Sequence, residues 1–170
     1  METRKHIAAE KKRCGSHNCA QAILHTYADI AGIDEELAMN IANSFGAGMG
    51  NMEGTCGGIV GAGLVLGLVN KDKVKSVKQM RQIMTKFQER NGATQCKLLK
   101  GVGTKVVLRE CPDCVADAAL SSSVRSFCIS SVTSSVTSVW WKSSRIALAW
   151  PTLIRKNSRL ALIRCGSKAV

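Results

Sequence analysis

Eight cysteines stand in a chain of 170 residues, and thiols are the side chains here best suited to chemistry. Cys111-Pro-Asp-Cys114 places two of them one turn apart at a helix start. A first cysteine exposed to the helix dipole suits thiol–disulfide exchange, and the same spacing also supplies half of a zinc or iron–sulfur site. Phe45-Gly-Ala-Gly-Met-Gly50 and Gly54 form a flexible loop that delivers Cys56 to the head of an apolar helix. A thiolate at a helix N-terminus is stabilised by the positive end of the dipole, which makes it a better nucleophile or ligand. Cys14 and Cys19 bracket the start of an earlier helix, and Cys96 follows Gly92-Ala-Thr-Gln95. Any single one of these could equally be a small buried hydrophobe. The glycine loop lacks the Lys-Ser/Thr and the preceding strand of a phosphate cradle. His17, between Cys14 and Cys19, is a candidate ligand or base, whereas His6 and His25 fall on expected surface positions. No Ser-His-Asp or paired-carboxylate constellation stands out.

The elements that must hold these thiols are helical in pattern. A short helix covers Ile7 to Arg13. Asn18 caps a second, with Cys19, Ile23, Tyr27 and Ile30 on one face and Gly32 ending it. Asp34-Glu-Glu36 opens a third, lined by Leu37, Ile41 and Phe45. Cys56 to Val69 is apolar all round, as in a buried helix, and Gly57/Gly61 and Gly63/Gly67 give two small-x-x-x-small spacings, the later pair expected to serve tight packing. Asp72 starts an amphipathic helix with Val74, Val77, Met80, Met84 and Phe87 inward, closing at Asn91-Gly92, and a last helix follows Cys111-Pro112. The expected fold is all-α, a small bundle of about five or six helices around a buried, Gly-rich central helix.

Composition agrees. Hydrophobic residues make up 45% and aromatics only 4%, so the core is built from Ala, Val, Ile, Leu and Met. The longest apolar run, Ile59 to Val69, falls well short of the ~18 residues of a membrane span. The N-terminus has no apolar stretch of the kind a signal peptide needs, so a cytoplasmic location is expected, and with it reduced thiols. The net charge of +12 is uneven, because residues 121–170 hold eight of the 24 Lys and Arg and none of the twelve acids. The expected division is therefore a cysteine-containing helical domain over 1–120 and a basic, Ser-rich tail over 121–170. Three readings of that tail compete: a flexible or disordered appendage, sequence translated out of frame, or a basic nucleic-acid or membrane-surface arm, in which Trp140, Trp141 and Trp150 could stack bases beside Lys142, Arg145 and Arg155. Scattered rather than clustered charge favours the first two.

Five motifs, in order, resemble the C_GCAxxG_C_C family of bacterial and archaeal redox-active proteins: Asn18-Cys-Ala-Gln-Ala22, Phe45 to Gly50, Cys56-Gly-Gly-Ile-Val-Gly61, Cys96-Lys-Leu-Leu-Lys-Gly101 and Cys111-Pro-Asp-Cys-Val115. The resemblance runs from about residue 10 to 120, with Gly58 where the family pattern has Ala. It implies an all-helical domain whose characteristic cysteines fall on Cys19, Cys56, Cys96 and Cys111. The leading expectation is thiol–disulfide exchange or electron transfer, with Cys56 attacking, Cys19, Cys96 or Cys111 resolving, and a redox protein or small thiol as partner. The alternative is that Cys19, Cys56, Cys96 and Cys111 converge as a four-thiolate site for zinc or an iron–sulfur cluster. A second alternative is nucleic-acid binding through the basic tail.

Overall fold

A computed structural model describes residues 4–119. The expectations for the tail, including the roles of its tryptophans and basic residues, lie outside the described residues, as do Cys128 and Cys165.

Among the described residues the chain is all-α and forms no strand. Helix α1 (Lys5–Arg13) leads to α2 (Cys19–Thr26), a short α3 (Ala28–Ala31) and α4 (Glu35–Ile41), followed by a 3-10 turn at Asn43–Phe45. The glycine loop then enters α5 (Gly57–Asn70), which is followed by α6 (Lys73–Asn91), a single-turn α7 (Cys96–Leu99) and α8 (Cys111–Ala119). Local signals set the boundaries. Asn18, Asp34 and Asp72 cap α2, α4 and α6 through their side-chain oxygens, and Gly32 and Gly92 end α3 and α6 in the left-handed region. Such caps satisfy backbone groups that the helix ends leave unpaired.

The core is aliphatic. Ile23 and Leu24 of α2, Ile59 and Leu66 of α5, Ile83 of α6, Leu99 of α7 and Val115 of α8 are fully enclosed. Burying each is worth about 1.5–3 kcal/mol against exposure. Helix α5 packs against α2, α6 and α8, and α1 packs against α8. The seam between α5 and α2 is very close, because a Cβ on Gly61 would lie 2.7 Å from Ala20 O and one on Gly57 2.9 Å from Cys19 Cβ. Of the later pair, a Cβ on Gly63 would meet Met80 Sδ of α6 at 3.3 Å, whereas Gly67 has nothing within 4 Å, so the closest packing belongs to the earlier pair.

Three helical faces differ from the periodic reading. The second helix breaks at Tyr27, where Thr26 turns its hydroxyl back onto Ala22 O at 2.6 Å, a bond that bends helices. In α4 the enclosed residue is Ala38, followed by Ala42 just past its end, while Leu37 is 44% exposed. Close approach selects the small side chains there, since Gln21 Nε2 of α2 donates to Met39 O at 3.1 Å and to Asn43 Oδ1 at 2.8 Å. In α6, Val74 is 78% exposed and Val77 is exposed too. The inner side of that end is polar, with Asn70 Nδ2 bonded to Ser76 Oγ and Gln79 Oε1, so the apolar stripe begins only at Met80.

Candidate functional site

Four helices begin at a cysteine. Cys19 is the first residue of α2, Cys96 of α7 and Cys111 of α8, while Cys56 is the N-cap of α5. Asn18 holds the head of α2 rigidly: its Oδ1 accepts from the N–H groups of Ala20 and Gln21, both at 2.9 Å, and Gln21 Oε1 accepts from Asn18 N. The glycine seam sets α5 against α2 beside Cys19, since a Cβ on Gly57 would meet Cys19 Cβ at 2.9 Å. On another side of α5, Gly58 faces Cys114 O, Val115 and Ala118 of α8.

The two sulfurs of Cys111-Pro-Asp-Cys114 hydrogen-bond different partners. Cys111 pairs with Cys19, and Cys114 pairs with Cys56. In the first pair the Cys19 thiol donates to Cys111, whose pKa falls to about 6, helped by the Lys100 ammonium, which also hydrogen-bonds its sulfur. Cys19 is pushed up correspondingly, by that hydrogen bond and by burial. The negative charge settles on Cys111 because its sulfur is the less enclosed of the two and touches the lysine. In the second pair the Cys114 thiol donates to Cys56, and the N–H groups of Gly58 and Ile59 at the head of α5 also stabilise the Cys56 thiolate, so its pKa is lowered despite burial. Cys114 is pushed up, and Arg109 O lies 3.8 Å from its sulfur as a further acceptor. Burial raises the Cys96 thiol, and the neighbouring Cys56 and Cys111 charges add to that.

The glycine loop is clamped and strained. Ala47, Gly48, Met49 and Gly50 all have positive φ, as does Met52, which costs roughly 1–2 kcal/mol at each non-glycine position. Cys56 N donates to Thr94 O at 2.8 Å, Cys96 N to Gly54 O at 3.0 Å and Lys97 N to Met52 O at 2.9 Å, fixing the loop against α7. Gly48 is needed for space as well, because a Cβ there would fall 2.6 Å from Cys96 Cβ.

A cavity of about 450 Å³ opens between this loop and the first helices. Cys19 and Cys111 lie on its wall with Lys12, Lys100, Asn43, Ser44 and loop backbone at Gly46, Ala47 and Gly50, whereas Cys56, Cys96 and Cys114 do not line it. Cys56 and Cys111 each lie close enough to perturb both Cys19 and Cys96, and of the four expected cysteines Cys19 and Cys111 line this cavity. The sequence does not point to Lys12 or Lys100, and it points to Cys114 only as half of the Cys-x-x-Cys, not as one of the four characteristic cysteines. The Cys-x-x-Cys spacing was the available signal for Cys114; Lys100, one turn after Cys96, carries none.

Helix α8 is anchored beside the site by Asp117, whose carboxylate receives Arg90 Nη1 at 2.9 Å and Arg109 Nη2 at 3.0 Å and is nearly enclosed. His17 belongs to a different cluster. Its Nδ1 pairs with Ser16 Oγ at 2.7 Å, and its ring stacks edge-on against His25 with centroids 4.8 Å apart. His25 is half-buried rather than on the surface, with the enclosed Lys11 Nζ 2.6 Å from its Nδ1. Among the described residues, no three His, Cys, Asp or Glu side chains are placed to hold one metal ion, and no helix is long and apolar enough to cross a membrane.

No curated protein and no solved structure matches the chain significantly. The family model described as "Putative redox-active protein (C_GCAxxG_C_C)" matches residues 17–122, well over half of the sequence. With its cysteine-headed helices and paired thiols, the chain belongs to the C_GCAxxG_C_C family of redox-active proteins.

Proposed function

We propose that the protein exchanges thiols for disulfides, with Cys111 as the attacking thiolate and Cys19 as the resolving thiol. The observation that carries this is the hydrogen bond from the Cys19 thiol to Cys111 on the wall of an open cavity, beside a lysine. A thiol with a pKa of about 6 is almost wholly thiolate at neutral pH and close to the value at which attack is fastest. The sequence expectation gives the first attack to Cys56; its enclosure, 5% exposed, favours Cys111 instead. Cys56 and Cys114 then form a second, inner couple.

The reaction conserves electrons in two exchanges. Cys111 attacks one sulfur of a disulfide RSSR, the S–S bond breaks as a Cys111–SR bond forms, and RS⁻ leaves and takes up a proton. Cys19, losing its proton to solvent, attacks Cys111 Sγ and expels the second RS⁻. Two electrons pass to RSSR, two RSH are released, and a Cys19–Cys111 disulfide remains, to be reopened by an external dithiol. The test is alkylation of the reduced chain with limiting iodoacetamide across a pH series, mapped by peptide. Cys111 should label first, with half-maximal rate near pH 6. Faster labelling of Cys56 or Cys96 would overturn the assignment.

A further inference from the structure

The charged side chains lining the cavity beside Cys111 and Cys19 are of one sign only. Lys12 and Lys100 both line it, and none of its lining residues is acidic. Lys100 reaches the Cys111 sulfur itself, and Lys12 is near enough to both Cys19 and Cys111 to favour their thiolates. Two further lining residues are polar and uncharged. Asn43 has its amide oxygen engaged by Gln21 Nε2 at 2.8 Å, so what it can offer a ligand is its NH2 group, and Ser44 adds a hydroxyl. Met52 and Ala47 supply a small apolar surface between them. A volume of about 450 Å³ lies within the usual range for small-molecule sites of roughly 300–1,000 Å³ and suits one half of a peptide-sized disulfide.

We propose that this cavity binds a small disulfide bearing carboxylates, held by Lys12 and Lys100 with one sulfur against Cys111. The proposal rests on the exchange reading given above and names its substrate class. Two lysines facing a thiolate would be an unsuitable lining for a cationic disulfide and indifferent to a neutral one, since Coulomb attraction in a concave, partly dry site discriminates by sign. When Cys111 joins one half of the disulfide, its negative charge is lost and Lys100 is released from it. The ammonium is then free to hold the carboxylate of the bound half while the other half departs as thiolate and is protonated. Attack by Cys19 on Cys111 Sγ then releases the bound half as the second thiolate, and an external dithiol restores the couple.

The experiment uses the full reduced chain and three disulfides of differing charge: glutathione disulfide (anionic), 2-hydroxyethyl disulfide (neutral) and cystamine (cationic). Corrected for the intrinsic reactivity of each toward a free small thiol, the anionic reagent should oxidise Cys19 and Cys111 at least about tenfold faster than the neutral one, and the cationic reagent more slowly than both. That advantage should shrink in high salt and in Lys12→Gln. Because the measure is a ratio within one protein, a change in Cys111 nucleophilicity cancels from it. A second arm is free of redox chemistry: S-methylglutathione, which cannot exchange, should saturate the chain in calorimetry and protect Cys111 from iodoacetamide, and should do neither with Lys12→Gln. Equal corrected rates for all three disulfides, with Cys111 still the first residue alkylated, would overturn the anion site while leaving the exchange reading intact. If Cys111 is not the first residue alkylated, both fail together.

Discussion

Cys19 opens α2 and Cys111 opens α8, and the thiol of the first hydrogen-bonds the sulfur of the second. Neither helix makes this contact alone. Helix α2 is positioned by the Asn18 capping box and by the glycine seam against α5, and α8 by its packing on α1 and α5 and by the Arg90 and Arg109 bonds to Asp117. The consequence is an asymmetric couple, one thiol held protonated and the other held as thiolate.

Removing the donor should therefore undo the activation. In Cys19→Ala the thiolate absorbance of Cys111 should titrate well above pH 6, toward the ordinary cysteine range, because the largest stabilising contact is gone. Lys100→Gln should shift it in the same direction, because the ammonium's charge and its hydrogen bond to the sulfur both favour the thiolate. A Cys111 titration that stays near pH 6 in Cys19→Ala would mean that the hydrogen bond is not its cause.

The glycines of α5 should respond oppositely to the same change. Gly61→Ala drives a methyl into Ala20 O of α2, a backbone atom that cannot swing aside, and should destabilise the protein by about 1–3 kcal/mol. Gly67→Ala, in an exposed helical position with nothing within 4 Å, should stabilise it by about 0.4–1 kcal/mol. Urea midpoints of the two variants check the pair, and equal midpoints would contradict the close seam.

Much of this was legible in the residues and some was not, for definable reasons. Asn18, Asp34, Asp72, Gly32 and Gly92 mark helix ends through bonds local to a few residues, so sequence alone locates them. The placement of Cys56 and Cys111 at helix heads follows from the same local rules. Which sulfur meets which does not, because Cys19–Cys111 and Cys56–Cys114 are decided by the packing of α2, α5 and α8. The buried face of α4 is hidden from the sequence for a related reason: hydrophobic periodicity favours Leu37 and Ile41, whereas close approach to α2 encloses Ala38 and, just past the helix, Ala42. Lys12 and Lys100 look like ordinary solvated charges until the cavity is seen.

Acid should weaken the fold through the histidine cluster. Burial, with the nearby His25 and Lys11 charges, lowers the His17 pKa to about 4, and His25 is lowered by the same kinds of cause. Between the ordinary value of 6.5 and about 4 the unfolded chain binds more protons than the folded one, so stability falls as pH drops through that window. Melting temperatures measured from pH 7 to pH 4 should fall less steeply for His17→Gln than for the unmodified chain. Parallel curves would show that His17 does not carry the effect.

The most direct measurement is the identity of the bond that forms when the reduced protein meets one equivalent of a small disulfide. Acid quenching, alkylation of the remaining thiols and peptide mapping by mass spectrometry should return a Cys19–Cys111 disulfide. In Cys19→Ser the same reaction should stop at a mixed disulfide on Cys111, with the small thiol still attached. A first adduct on Cys56, or a chain oxidised elsewhere while Cys19 and Cys111 remain thiols, would contradict the account.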